Sequence, residues 1–311
     1  MSQAAQMVDD VVSGLLRLLA DERAAIARLD WAALEQHPLP PVIDGDKESK
    51  GRILIIAGSR DVPGAALLAA NAAMRAGAGK LRIATVEGAA LALGVAMPEA
   101  MVMGLAEAGD GGFAGGAVDR IAEAAREVDA VVAGPGVKRS DMCKRMADVL
   151  LESDTALALD VALLETLEPL RERALERRSL PTLLPNAKEL ASLLDCRPEH
   201  VDDDPIGCGI RAAELYRSVV LVKGVTSHIV TPGGECWAYE GGAPGLGVSG
   251  SGDVLAGIVG GLLARGAEPL NALLWSVWLH GEAGARLAKK VGPIGFLARE
   301  IADEIPALLP R

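Results

Sequence analysis

Short apolar runs alternate with alanine-rich stretches of helical spacing from residue 52 onward, and this rhythm limits the fold more than any other feature of the chain. Runs such as Arg52–Ile56 and Ala130–Ala133 stay apolar instead of alternating with polar residues, which indicates strands that crossover helices bury on both faces. The pattern predicts an α/β fold with a doubly wound, mostly parallel sheet and helices on both faces. Because only 3% of the residues are aromatic, we expect a core of Ala, Val, Leu and Ile.

The same patterns place the individual elements along the chain. Further strands are predicted over residues 80–86, 101–105, 155–159, 182–184 and 219–223. Runs at 228–230 and 236–239 flank Pro232-Gly233-Gly234, a turn sequence that predicts a hairpin at one edge of the sheet. Helices are predicted over 63–77, 253–264, 269–288 and 296–309.

The first fifty residues follow a different pattern. Apolar residues between Val8 and Leu19 recur at helical spacing, and a proline-rich loop follows at 38–41, which predicts an amphipathic helix before the sheet begins. We expect an N-terminal helical extension over residues 1–45 and one α/β domain over residues 46–311.

Charge and cysteine usage argue against several functional classes. The formal net charge of -11 opposes binding to nucleic acid or to anionic membrane surfaces, because a phosphate backbone requires clustered Lys and Arg. The four cysteines form no C-x-x-C pair, which argues against a disulfide framework or a zinc knuckle. The acidic pair Asp9-Asp10 near the N-terminus argues against a secretory signal. A cytoplasmic protein that acts on a small molecule is the resulting expectation.

The most specific chemical signal is the loop 245–253, which enters an apolar helix. Gly250, Ser251 and Gly252 are small enough for several backbone N–H groups to converge on a phosphate, and the helix dipole favours negative charge there. Asp253 follows in the first turn. A carboxylate at this position serves as a helix cap, yet beside a phosphate it is also placed to accept a proton from an attacking hydroxyl. The small residues that precede it favour the catalytic role.

Three other loops leave predicted strands, where ligands bind in doubly wound sheets. Residues 57–65 contain two glycines but match neither a Walker loop nor the dinucleotide fingerprint. Residues 133–136 (AGPG) form a bend that could lie flat against a planar ligand. Asn186 and Glu189 stand three residues apart, which predicts a helix-capping pair first and a substrate or magnesium–water site second.

Hydrolase chemistry has little support. Neither Ser249 nor Ser251 lies in a G-x-S-x-G nucleophile elbow, and four histidines without an H-E-x-x-H motif argue against catalytic zinc. His280-Gly281-Glu282 lies within a predicted helix, where packing or a local hydrogen bond is the favoured interpretation.

Taken in order, these segments resemble the NAD(P)H-hydrate dehydratase branch of the ribokinase-like superfamily. The resemblance covers about residues 51–309. The segments that carry it include GRILIIAGS (51–59), GPG (134–136), LVKG (221–224), PGL (244–246), GSGDVLAG (250–257) and LHGEAG (279–284).

The resemblance implies a ribokinase-like fold and a reaction in which ADP or ATP phosphorylates the hydroxyl of hydrated NADH or NADPH, after which phosphate leaves. By that likeness Asp253 is the base, and Gly250, Ser251 and Gly252 form the anion hole. The nucleotide would contact Gly252 together with Lys223, Gly224, Val225, Thr226 and Ser227. The substrate would face Ala65, Gly136, Asn186 and Asp253. Mg²⁺ would accompany the phosphates, held by Glu189 through water, and a homo-oligomer is usual in the family.

Two alternatives stay open on sequence grounds. Residues 184–189 (LPNAKE) replace the T-P-H-x-G-E common in bacterial members of the family, so the substrate loops depart from its pattern. A small-molecule kinase of the same superfamily, which leaves the phosphate on its product, is the second hypothesis. A protein that binds nucleotide without turnover is the third.

Overall fold

A computed structural model describes residues 26–42, 44, 46, 47 and 49–310, and within them it contains one sheet of ten strands. The strands are β1 (Ala27–Arg28), β2 (Arg52–Ile56), β3 (Lys80–Val86), β4 (Ala100–Leu105), β5 (Ala130–Ala133), β6 (Ala156–Leu159), β7 (Thr182–Leu183), β8 (Val219–Val222), β9 (Ser227–Val230) and β10 (Cys236–Tyr239). Each predicted strand is present, and its ends lie within one residue of those predicted.

The helices follow the strands in the expected alternation. They are α1 (Trp31–Gln36), α2 (Gly64–Arg75), α3 (Glu87–Ala96), α4 (Ala117–Arg126), α5 (Asp141–Leu151), α6 (Arg171–Glu176), α7 (Ala187–Leu193), α8 (Pro198–Asp203), α9 (Pro205–Tyr216), α10 (Ser251–Ala264), α11 (Pro269–Lys290) and α12 (Ala298–Glu304). The last helix is shorter than the predicted 296–309. It gives way to a 3₁₀ turn over Ile305–Ala307, because Pro306 has no N–H with which to continue the helix.

The sheet is doubly wound and mostly parallel, as predicted. Its strand order is β1-β10-β9-β8-β7-β6-β5-β2-β3-β4, and β9 alone among them runs antiparallel to its neighbours. The winding reverses between β2 and β5, which pair directly with Ile53 opposite Ala130. Loops that leave two such strands diverge and open a crevice for a ligand.

The N-terminal segment joins the far edge of the sheet. Ala27 of β1 pairs with Trp237, so β1 lies outside the β9–β10 hairpin, which is therefore not the outermost element that we predicted. The Trp31 ring of α1 packs against Trp275 and Trp278 of α11, with ring centroids 5.6 and 5.5 Å away. The amphipathic helix predicted between residues 8 and 19 lies outside the described residues, and the domain boundary at residue 45 stays a prediction. Among the described helices, none has the length and apolar character needed to cross a membrane.

Close packing of α10 on α2 sets the position of the candidate site. Gly257 and Gly261 of α10 face the backbone carbonyls of Ala69 and Ala73, where a side chain would collide. These contacts advance along both helices in the same direction, so α10 runs parallel to α2. Since α2 begins just after the carboxyl end of β2, α10 also begins at the carboxyl edge of the sheet. The buried core is made chiefly of Ala, Val, Leu and Ile, as predicted.

Candidate active site

The first turn of α10 presents backbone donors at the carboxyl edge of the sheet. The helix begins at Ser251, two residues before the predicted start, because Gly250 takes the cap position in the left-handed conformation with φ 89°. A Cβ at Gly250 would lie 2.5 Å from Leu68 Cδ1, so both the backbone and the packing favour glycine there. The N–H groups of Gly252 and Asp253 have no intrahelical acceptor in this turn. The geometry therefore suits an anion, as the loop sequence predicts.

Lys223 provides the cation beside this turn. Its Nζ lies 2.8 Å from Asp160 Oδ1 and 3.9 Å from Glu189 Oε2, and a Cβ at Gly252 would lie 3.9 Å from the same Nζ. Burial lowers the pKa of Lys223, but the two carboxylates outweigh burial and raise it above the ordinary value. The ammonium thus stays charged between the carboxylates and the backbone anion site.

Asp253 has the proton affinity of a base that works near neutral pH. The pKa of its carboxyl is raised from 3.8 to about 6, chiefly by burial and then by the negative charge of Asp160, while the charge of Lys223 opposes both. The group is ionised at neutral pH but holds a proton more readily than an exposed Asp does. A general base of this strength can accept a proton and release it again within one turnover.

A cavity of about 930 Å³ opens in front of the α10 turn, a volume that suits a nucleotide. The predicted site residues that line it are Asn186, Lys223, Gly224, Val225, Ser227, Ser251 and Gly252. Val225 is fully exposed at the cavity. Thr226 does not line the cavity; its backbone carbonyl instead packs against Gly224.

Ala65 and Gly136 form a second group at the switch point between β2 and β5. Gly136 adopts φ 63°, and a Cβ there would lie 2.5 Å from the Ala65 Cβ. The N–H of Gly58 donates to the carbonyl of Pro135 over 2.8 Å, which ties the two loops together. Asp160 links this group to the cavity, because its backbone packs against Gly134 while its carboxylate contacts Lys223.

Asn186 and Glu189 form the capping box that their spacing predicts. Asn186 Oδ1 accepts from the N–H groups of Lys188 and Glu189, each at 3.0 Å, and Glu189 Oε2 accepts from the Asn186 N–H at 2.8 Å. Burial raises the pKa of Glu189, and Lys223 opposes that shift. The capping interpretation is confirmed, and it leaves Asn186 Nδ2 and Glu189 Oε1 outside the box.

Two residues beside the anion site were not predicted from the sequence to belong to it. Asp160, only 1% exposed, follows β6 directly, and its position after a buried strand is the signal that could have identified it. His280 lines the cavity, and its Nε2 lies 2.9 Å from Ser251 Oγ. The predicted local hydrogen bond of His280 is wrong, because its partner is 29 residues away on another helix.

Comparisons with known proteins agree with this geometry. The family model described as NAD(P)H-hydrate dehydratase matches residues 53–307. The chain is 44% identical over 285 residues to the ADP-dependent (S)-NAD(P)H-hydrate dehydratase of Xanthomonas campestris pv. campestris, covering 90% of this chain and 95% of the relative. The chain belongs to the NAD(P)H-hydrate dehydratase family.

Solved structures similar to this dehydratase-family chain have the same fold. The ADP/ATP-dependent NAD(P)H-hydrate dehydratase of Bacillus subtilis, co-crystallised with ATP and Mg²⁺, aligns with a TM-score of 0.79 at 27% identity, over 91% of this chain and 97% of that one. A ribokinase-like superfamily protein of Enterococcus faecalis aligns with a TM-score of 0.76 at 23% identity, over 91% and 95%. The chain also matches bifunctional NAD(P)H-hydrate repair enzymes, of which it spans about half the length. The fold is ribokinase-like, as the sequence resemblance implies.

Proposed function

We propose that this chain uses ADP or ATP to dehydrate hydrated NADH and NADPH. The observation that carries the proposal is the pairing of a backbone anion site with a carboxylate base, both beside a nucleotide-sized cavity. The base is Asp253, with a pKa raised to about 6, and the anion site consists of Gly250, Ser251 and Gly252. The function that names the 44% identical relative supports the same reaction.

The first step is a phosphoryl transfer to the substrate hydroxyl. The Asp253 carboxylate takes the hydroxyl proton while the hydroxyl oxygen attacks the terminal phosphorus of the nucleotide. The bond from that phosphorus to the bridging oxygen breaks, and AMP leaves from ADP, or ADP from ATP. The N–H groups of the α10 turn and the Lys223 ammonium stabilise the charge on the transferred group.

The second step eliminates inorganic phosphate from the phosphorylated substrate. The carbon–oxygen bond breaks with its electron pair on the departing phosphate, the neighbouring carbon gives its proton to that phosphate, and the electrons of the broken C–H bond form the ring double bond of the reduced nicotinamide. Phosphate is a far better leaving group than hydroxide, so phosphorylation by the nucleotide makes the elimination easier.

The remaining contacts divide between the two ligands. The nucleotide lies against Lys223 to Ser227 and Gly252. Within this run Thr226 does not line the cavity, so it supports the loop and does not contact the nucleotide directly. The hydrated ring lies against Ala65 and Gly136, whose close approach gives a flat surface. Asn186 offers its Nδ2 donor, since its Oδ1 is engaged in capping α7.

Magnesium fits the charges of this site. Asp160, Glu189 and Asp253 supply three carboxylates against the single ammonium of Lys223, and hard oxygen ligands of this kind suit Mg²⁺. The described residues contain no cluster of three or more His, Cys, Asp or Glu side chains that could hold a metal alone, so the nucleotide phosphates would complete its coordination. Glu189, with Oε1 free of the capping box, would hold it through water. When bound, the ion would neutralise phosphate charge.

An absorbance assay tests the reaction. Hydrated NADH is incubated with Mg²⁺ and with ADP, ATP or no nucleotide, and the absorbance of reduced nicotinamide is followed. Recovery that requires nucleotide and is lost in Asp253→Asn is the expected result. Accumulation of a phosphorylated alcohol without recovery would instead support a kinase, and nucleotide binding without consumption would support a binding protein.

We propose further that the chain works in the cytoplasm and, as the resemblance to its family implies, as a homo-oligomer. The net charge of -11 disfavours nucleic acid and anionic lipid as partners, and Cys143, Cys196, Cys208 and Cys236 are free thiols, as a reducing compartment would maintain. Light scattering after size exclusion measures the assembly, and a monomer at all concentrations would contradict that part.

A further inference from the structure

We infer that His280 is a positioning residue that directs the Ser251 hydroxyl toward the transferred phosphoryl group, which makes that hydroxyl a side-chain donor of the anion hole. The inference rests on the proposed phosphoryl transfer and assigns to it a residue pair that joins α10 to α11. Three features of this contact carry it: the tautomer of the imidazole, the fate of the hydroxyl proton and the packing around the pair.

The tautomer follows from two contacts of a single nitrogen. His280 Nε2 lies 3.2 Å from the carbonyl oxygen of Ser251 and 2.9 Å from the hydroxyl oxygen of the same residue. A carbonyl oxygen can only accept, so Nε2 carries the hydrogen. Were Nε2 unprotonated, its lone pair would face the lone pairs of the carbonyl.

The hydroxyl proton of Ser251 is consequently free. Nε2–H donates to both oxygens of Ser251, and a hydroxyl that accepts this bond keeps its own hydrogen for another acceptor. Ser251 lines the cavity together with Gly252, so a phosphate oxygen there is within reach of the O–H. The hydroxyl then supplements the backbone N–H groups of the same turn with a donor that can rotate as the phosphorus moves.

The surroundings of His280 keep it neutral and fixed. Burial lowers its pKa to about 4, while the Ser251 carbonyl opposes that shift and Lys223 adds to it. The next two residues of α11 anchor the helix, because Gly281 lies against the Tyr239 ring and Glu282 accepts from the Tyr239 hydroxyl at 3.0 Å. The ring therefore holds the serine without adding a positive charge that would trap the phosphate product.

A double-mutant cycle separates positioning from general support of the fold. His280→Leu removes the donor, His280→Gln returns an N–H donor at nearly the same place, and Ser251→Ala removes the hydroxyl. We expect His280→Leu and Ser251→Ala each to lower kcat about tenfold, with a smaller change in the KM for nucleotide, as for the loss of one charge-assisted hydrogen bond. The Gln variant should recover most of the activity, and the double variant should be no worse than Ser251→Ala alone.

Each variant is measured in two assays, so that failure of this inference can be distinguished from failure of the proposed dehydratase function. Turnover of hydrated NADH gives kcat and KM, and calorimetric titration with ADP and Mg²⁺ gives affinity without any turnover. His200→Leu, on α8, is the matched control and should match wild type. The inference would be overturned if the double variant's losses in kcat and in ADP affinity equalled the product of the two single-variant losses. It would also be overturned if His280→Gln recovered no activity. If the wild-type protein does not turn over hydrated NADH but the variants still show non-additive losses of ADP affinity, the dehydratase reaction is refuted. The coupling between His280 and Ser251 at the anion site is then still supported.

Discussion

Asp253→Asn should stabilise the free protein while abolishing turnover. The carboxyl has a pKa raised from 3.8 to about 6 by burial and by Asp160, so its ionisation costs more in the folded chain than in the unfolded one. Each pKa unit corresponds to about 1.4 kcal/mol, which limits the gain from a neutral amide to about 3 kcal/mol at neutral pH. Because the side chain is partly exposed, solvent screening reduces the expected gain to about 1–2 kcal/mol.

The sign of the pH dependence follows from linkage. A carboxyl whose folded pKa is raised contributes its full stability below its unfolded pKa of 3.8 and loses that contribution as the pH rises through about 6. The amide does not titrate. The difference between variant and wild type should therefore be greatest above about pH 7, fall to about half near pH 5 and to about a fifth near pH 4.

Urea unfolding monitored by tryptophan fluorescence measures this difference at the three pH values. Nucleotide and Mg²⁺ are left out, because any ligand that binds the folded chain adds its own stabilisation. Glu123→Gln, which replaces an exposed carboxylate on α4, is the control and should match wild type in its free energy of unfolding. An Asp253→Asn variant that is no more stable than wild type at neutral pH, or whose gain is the same at every pH, would refute the reasoning.

Three further perturbations test other parts of the site. Lys223→Met leaves the buried Asp160 carboxylate unpaired and should lower the free energy of unfolding by about 3 kcal/mol. Calorimetry on the same preparation should show weaker nucleotide binding. An unchanged stability and an unchanged affinity would contradict the role of the ion pair. Gly250→Ala must place a Cβ at φ 89° and against Leu68, so we expect a loss of about 1–2 kcal/mol in urea unfolding and a higher KM for nucleotide; wild-type behaviour would refute that geometry. In wild type, kcat/KM should fall as the pH drops through about 6, because protonated Asp253 cannot accept a proton; a profile flat from about pH 8 to 5 would exclude this base.

Much of the fold follows from the sequence because its signals are local. Continuous apolar runs such as Ala130–Ala133 favour burial on both faces, which a parallel sheet covered by helices on both sides provides. The position of β1 could not be predicted in this way, since a two-residue strand at Ala27–Arg28 has no periodicity. The start of α10 was also misplaced, because Gly250 and Ser251 look like loop residues until the packing against Leu68 is known.

The candidate site likewise has one part that local sequence predicts and one part that only tertiary packing creates. The phosphate half is encoded by neighbours in sequence, Gly250 to Asp253, and of these the structure places Ser251 and Gly252 in the lining of the cavity. The groups that tune this half are distant in sequence: Asp160 and Lys223 approach only because β6 and β8 end at the same edge. His280 approaches Ser251 only because α11 packs beside α10, which no local pattern could indicate.

The most direct test is the stoichiometry of a single reaction mixture. Hydrated NADH, ADP and Mg²⁺ are incubated with the protein, and NADH, AMP and inorganic phosphate are quantified together, with Asp253→Asn in parallel. Phosphorylation followed by elimination predicts equal amounts of the three products and none with the variant. Recovery of NADH without AMP, or AMP formation with the phosphate retained on the substrate, would contradict it.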